Sequence, residues 1–121
     1  LVVEDNPVIR QIYRRALEQQ QLTVVDAENG TRALTLMERV RPGYVVLDLM
    51  MLDMDGFEFL KRMRRRPEWQ AVPVAVLSAK PLSEQERAFL AVNAQHYQRK
   101  SEAACAEVAA LVGKAMKQSG G

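Results

Sequence analysis

Glu4 and Asp5 stand together directly after a short apolar run, residues 1–3, and Asp48 follows a second run, residues 44–47. Ser78 closes a third, residues 72–77, and Lys100 comes just after a weaker stretch at 95–98. If each run is a strand of one sheet, these five side chains share one rim. Three carboxylates held close repel, and at least one acquires a raised pKa. A hard divalent cation relieves the repulsion, and Mg²⁺ takes oxygen ligands while keeping several waters. A metal, a carboxylate nucleophile, a hydroxyl and a lysine are the parts that move a phosphoryl group, whose transfer spreads charge over equatorial oxygens. Asp48 would attack, the metal and Lys100 would balance the oxygens, and Ser78 would bond to the product. Taken singly, Asp5 is a turn acid, Ser78 a loop hydroxyl and Lys100 a surface amine. Their shared position carries the inference.

The rim requires a parallel sheet, and the pattern between these residues supplies one. The runs at 1–3, 22–25, 44–47 and 72–77 are rich in valine and leucine without polar alternation, as strands covered on both faces are. Stretches with helical spacing lie between them. Asn6-Pro7 starts the first, with Val8, Ile12 and Ala16 on one face and Ile9, Tyr13 and Leu17 beside them. The second follows Asn29-Gly30, carries Ala33, Leu34, Met37 and Val40, and stops at Arg41-Pro42-Gly43. A third runs from about Asp55 with Phe59, Leu60 and Met63 inward and ends before Pro67. Ser83 and Glu86 form a capping box for the fourth, which buries Phe89, Leu90 and Val92. The last begins near Ser101 with Val108, Leu111, Val112 and Ala115 at core spacing. Five strand–helix repeats predict a doubly wound parallel sheet with helices on both faces. They fit the flavodoxin-like order 2-1-3-4-5, in which strands one and three are neighbours and ligands bind where their carboxyl ends meet.

Composition narrows the classes. The 121 residues suit a single domain, 1–121, and 48% apolar with 26% charged residues is ordinary for a globular chain. A net charge of +2 is too small to argue for nucleic acid. Cys105 is the single cysteine, so no internal disulfide forms, and a reducing cytoplasm is the expected setting. No signal peptide or bilayer-spanning run is present, so membrane contact is not expected. The chain opens on Leu1-Val2-Val3 without methionine, which suggests excision from a longer polypeptide. The basic run Lys61, Arg62, Arg64, Arg65, Arg66 reads as a solvated helix C-terminus rather than a DNA contact. His96 lacks partners for a zinc site. Asp53-Met54-Asp55-Gly56 lacks the spacing of an EF-hand loop. Trp69 is expected as a loop anchor, and Cys105 as a small buried side chain.

These segments resemble the receiver domain of two-component response regulators and hybrid histidine kinases. The matching residues are Leu1-Val2-Val3-Glu4-Asp5-Asn6, Val45-Val46-Leu47-Asp48-Leu49-Met50-Met51, Met54-Asp55-Gly56, Val74-Ala75-Val76-Leu77-Ser78-Ala79 and Lys100. The resemblance covers essentially the whole chain and implies a cytoplasmic signalling switch rather than an enzyme, one that assists its own phosphorylation and dephosphorylation. It implies Asp48 as phosphoacceptor, with Glu4, Asp5, Asp48 and the Met50 backbone carbonyl as Mg²⁺ ligands. It assigns Ser78 and Lys100 to the phosphoryl group and Tyr97 to the position of the switch aromatic. The implied partners are a histidine kinase or histidine phosphotransfer domain and an output domain in the same parent chain. The sequence departs from the family pattern at Leu52 and Ser101, where proline is usual, and at Asn93, where glycine is common. His96-Tyr97-Gln98-Arg99 is also unusually polar, which predicts an irregular or exposed fifth strand. An aspartate-nucleophile phosphatase would want a second acid two residues after Asp48, where Met50 stands. A phosphorylation-independent interaction module (a pseudo-receiver) is the alternative, but Glu4, Asp5, Asp48 and Lys100 are all retained.

Overall fold

In the computed structural model, which describes residues 1–51 and 54–118, five parallel strands form one sheet in the order 2-1-3-4-5. The elements are β1 (Val2–Val3), α1 (Pro7–Glu18), β2 (Asp26–Ala27), α2 (Gly30–Val40), β3 (Val45–Asp48), α3 (Gly56–Arg65), β4 (Val74–Ser78), α4 (Glu84–Asn93), β5 (His96–Arg99) and α5 (Glu102–Gln118). A single 3₁₀ turn, Pro67–Trp69, precedes β4.

Every residue of β1, β3 and β4 is buried, and alternate residues enter different layers. Val3, Val45, Leu47, Val74 and Val76 pack with Met37, Phe59, Leu60, Met63 and Leu90 from α2, α3 and α4. Val2, Val46, Ala75 and Leu77 pack with Tyr13, Leu17, Val108 and Val112 from α1 and α5. Strands apolar on both faces are thus the direct result of a sheet sandwiched between two helical layers.

The helix ends follow local chemistry. The Asn6 side chain accepts from Val8 and Ile9 amides, with Pro7 as the first helical residue. Asn29 caps α2 through the Arg32 amide, and α2 stops at Arg41, which adopts a left-handed conformation at φ 51°. Asp55 caps α3 and Ser83 forms a reciprocal capping box with Glu86. Ser101, in the place of the family's proline, accepts from the Ala104 amide at 3.1 Å at the start of α5.

Several expectations need correction. The second strand pairs through Asp26–Ala27, not 22–25; Val25 contributes its carbonyl to the Val2 amide at 2.9 Å, and the ladder starts there. In α1 the inward residues are Tyr13 and Leu17, while Val8 (67%) and Ile12 (49%) face solvent, a rotation of the apolar stripe by about one position. Val40 and Val92 are likewise exposed, the latter at 83%. The fifth strand is regular, pairing residue for residue with β4 from Ala75↔His96 to Ser78↔Arg99. Its polarity is tolerated because it is an edge strand whose side chains bond to one another. His96 Nε2 lies 3.0 Å from Gln98 Oε1, and Gln98 donates to Glu107 at 2.7 Å. Trp69 is a buried anchor as expected, with the Arg66 guanidinium 4.4 Å from its ring centroid. Cys105 is half-buried, and burial pushes its thiol pKa up. Leu52 and Asp53 lie outside the described residues.

Candidate functional site

The carboxyl ends of β1, β3, β4 and β5 meet at one rim, and each delivers a side chain named from the sequence. Glu4 follows β1 and Asp48 ends β3, with carboxylates that are buried at 1% and 4% exposure. Asp5 is half-buried beside them. One carboxylate oxygen from each of the three falls within 4.8 Å of the others. Ser78 ends β4 fully buried, and Lys100 follows β5, its amide donating to the Ser78 carbonyl at 2.8 Å.

The Lys100 ammonium reaches both buried acids, 2.8 Å from Glu4 Oε1 and 3.1 Å from Asp48 Oδ2. Its contact with Asp48 is a hydrogen bond, and its shorter contact with Glu4 is a close ion pair. Burial raises the Glu4 pKa from 4.5 to about 7, a hydrogen bond shared with Asp48 adds to this, and Lys100 opposes it. Burial pulls the Lys100 pKa down, but the facing Glu4 and Asp48 carboxylates outweigh it and leave the amine above its ordinary range. Glu4 therefore carries a raised carboxyl pKa, as expected of at least one acid here, with burial as the first cause and the neighbouring Asp48 as the second. Asp48 Oδ1 accepts from the Met50 amide at 3.1 Å, which fixes the rotamer of the carboxylate and the path of the chain beyond it. The Ser78 hydroxyl donates to the Lys80 carbonyl at 2.8 Å. Tyr97, opposite Val76 in the β4–β5 pairing, is half-buried against the core layer containing Phe59 and Leu90.

Two supporting residues, Arg10 and Gly56, had no role assigned to them from the sequence. Arg10, on α1, donates from Nη1 to the Glu4 carbonyl at 2.9 Å and steadies the end of β1. Gly56 opens α3 against the end of β3: a Cβ there would lie 2.6 Å from Leu49 Cα and 2.9 Å from the Asp48 carbonyl oxygen. The close approach admits hydrogen alone, and the Gly56 amide bonds to the Leu49 carbonyl at 3.0 Å. Gly56 stands in the matching segment Met54-Asp55-Gly56, so its signal was available in the sequence; an arginine in an amphipathic helix offers none.

An all-oxygen donor set of three clustered carboxylates, two of them buried, fits a hard divalent cation such as Mg²⁺. Residues 1–111 match the family described as Response regulator receiver domain. The chain belongs to that family. The receiver domain is 39% identical over 97 residues to the KDP operon transcriptional regulatory protein KdpE of Escherichia coli, covering 80% of this chain and 42% of KdpE. It is 36% identical over 97 residues to the sensor histidine kinase TmoS of Ectopseudomonas mendocina, covering 80% of this chain and 10% of TmoS. It superimposes with a TM-score of 0.77 and 31% identity on the N-terminal domain of a response regulator receiver protein from Methanoculleus marisnigri JR1, covering 91% of this chain and 89% of that one. This receiver domain is a phosphorylation-controlled signalling module with a divalent-cation site at its acidic rim. Among the described residues, no helix is long and apolar enough to cross a membrane.

Proposed function

We propose that Asp48 accepts the phosphoryl group, from a phosphohistidine on a histidine kinase or histidine phosphotransfer domain. The P–N bond of the donor breaks as a P–O bond to Asp48 forms. The observation that carries this reading is the Lys100 ammonium 3.1 Å from a buried Asp48 whose oxygens lie among those of Glu4 and Asp5. Glu4, Asp5, Asp48 and the Met50 carbonyl would hold Mg²⁺, which supplies charge neutralisation to the incoming phosphoryl oxygens. Lys100 balances a further oxygen. Asp48 is held ready by the Met50 amide and need not reorient.

The readout begins at Ser78. Its hydroxyl bonds to Lys80 at rest and would turn to an aspartyl-phosphate oxygen. A charge-assisted hydrogen bond contributes roughly 1.5–3 kcal/mol net, whereas moving a 1:99 equilibrium to 99:1 takes about 5.5 kcal/mol. Ser78 alone is therefore insufficient, and Lys100 and the cation supply the rest. Tyr97, on the strand beside Ser78, is the residue through which the change would reach the surface of α4, β5 and α5. The domain would work in the cytoplasm within a larger chain, as KdpE and TmoS extend well beyond the matched region.

Intact-mass measurement after treatment with acetyl phosphate and Mg²⁺ tests the reading. One phosphoryl group on the wild type and none on Asp48→Asn is expected. An unlabelled wild type, or equal labelling of the variant, would reject it.

A further inference from the structure

Arg64 stands in the basic run at the end of α3, yet it is not a solvated charge. Its Nε and Nη2 donate to the Asn93 carbonyl at 3.0 and 2.8 Å, and Nη1 donates to Trp69 and Val72 carbonyls at 2.8 Å each and to Gln70 at 3.2 Å. Asn93 is the last residue of α4, and its carbonyl is one of the acceptors a helix terminus leaves without an intrahelical donor. Trp69, Gln70 and Val72 belong to the irregular link into β4, whose carbonyls have no ladder. A single planar guanidinium, half-buried, satisfies both. Burial lowers its pKa, and among the described residues its partners are main-chain oxygens rather than a carboxylate.

The other anchors of α4 also lie in its C-terminal half, where Phe89 packs against the core and meets the Phe57 ring at 5.9 Å. Leu90 is its one fully buried residue, while α3 buries Gly56, Phe59, Leu60 and Met63. Just past its C-terminal end, Gln95 exchanges bonds with Val74, its amide donating to the Val74 carbonyl at 2.9 Å and its Oε1 accepting from the Val74 amide at 2.7 Å. Its N-terminal end is joined to the rim by the short segment running from Ser78 through Lys80 to the Ser83 cap. One end is thus clamped to α3 and β4, and the other is attached to the residue that meets the phosphoryl group.

We propose that Arg64 is the pivot of α4: it fixes the C-terminal end, so that rearrangement at Ser78 tilts the N-terminal end outward. This rests on Asp48 as phosphoacceptor. A helix of this length spans roughly 15 Å, so a tilt of ~10° displaces its free end by about 2.5 Å. Arg64 is a positioning residue, remote from the reacting atoms.

Hydrogen exchange on the full chain, before and after acetyl phosphate with Mg²⁺, tests the pivot, with intact mass read on the same samples. In unphosphorylated Arg64→Met, amides of residues 91–95 are expected to exchange at least about tenfold faster, the loss of roughly one charge-assisted bond, while α1, α2 and α5 are unchanged. In phosphorylated wild type, altered exchange concentrates at 84–87 and fades toward Asn93; in Arg64→Met it extends through Asn93 into β5. Arg64→Lys keeps the charge without the fork and is expected to fall on the side of Arg64→Met, and it replaces that variant if methionine prevents folding. Unchanged exchange at 91–95, uniform acceleration across all helices, an even response along wild-type α4, or a wild-type pattern in Arg64→Lys would each overturn the proposal. An unlabelled wild type would reject Asp48 and the phosphorylation-driven tilt with it, while the exchange pattern of the unphosphorylated variants still decides whether Arg64 anchors α4.

Discussion

The Lys100 ammonium sits 2.8 Å from Glu4 Oε1, joining the chain after the last strand to the chain after the first. It also contacts Asp48, so one cation balances two buried acids. Losing it leaves those acids facing each other. Lys100→Ala is expected to destabilise the metal-free protein by about 2–3 kcal/mol, below the usual 3–5 for a broken buried pair because the amine keeps 19% exposure. Added Mg²⁺ should recover part of the loss, and Asp48 should still be labelled with a weakened structural response. Urea denaturation with and without Mg²⁺ measures the first; a metal-independent loss would contradict shared charge balance.

Glu4 couples folding to protons. Its folded pKa of about 7 lies above the ordinary 4.5, chiefly through burial. The folded metal-free state therefore holds a proton that the unfolded chain has lost over that window. Stability contributed by this group is full below about pH 4.5 and falls as pH rises toward 7. Subtracting the Glu4→Gln profile from the wild type in EDTA isolates it, and Mg²⁺ should flatten or reverse the slope. A difference profile that rises with pH would refute the assignment.

Joint Glu4→Gln and Asp5→Asn substitution removes two of the three clustered carboxylates. Labelling by acetyl phosphate should become undetectable, and the thermal shift produced by Mg²⁺ should vanish. Either signal surviving at wild-type size would rule out the pair as ligands.

Gly56→Ala places a methyl against Leu49 Cα and the Asp48 carbonyl, both main-chain atoms that cannot swing aside. A cost of roughly 2–3 kcal/mol is expected from overpacking, together with slower labelling of Asp48 because its carbonyl is displaced. Thermal melts and labelling kinetics together test this; a stable variant with altered kinetics, or neither effect, would show that the contact relaxes freely.

Ser78→Ala deletes two neutral hydrogen bonds with Lys80, one to its carbonyl and a longer one from its amide, so resting stability should change by only about 1–2 kcal/mol. The variant should be labelled yet show a smaller chemical-shift response in residues 79–87. An undiminished response would remove Ser78 from the readout.

The sequence made the rim legible because strand-end acids depend on chain order and apolar runs, which local composition records well. The caps at Asn6 and Ser83 were legible for the same reason, capping being decided within four residues, whereas Asn29 and Asp55 were legible only as the places where helices start. The position of β2 was not, since residues 22–25 are as apolar as a strand and their place in the ladder depends on β1. Val8 and Ile12 share helical spacing with Tyr13 and Leu17, and packing against α5 and the sheet determines which face turns inward. Arg64 is indistinguishable from Arg62 and Arg65 by composition; its partners lie on a loop and on a helix that ends nearly thirty residues later. The polarity of the fifth strand marked its partly exposed edge but not its regular pairing, since the Gln98 bond to Glu107 crosses from strand to helix.

Complete burial of β1, β3 and β4 restricts where this protein can diversify. Apart from Asp48 and Ser78 at the strand ends, none of those residues offers surface to another molecule, and a charge at any of the others would have no water to meet it. The central strands can change how firmly the acidic rim is held, but they cannot carry the address of a partner. Selectivity between one signalling pathway and another must be inscribed on the helices, on connecting segments away from the acidic rim and on the half-buried edge strand β5, where substitution leaves the chemistry at Asp48 undisturbed.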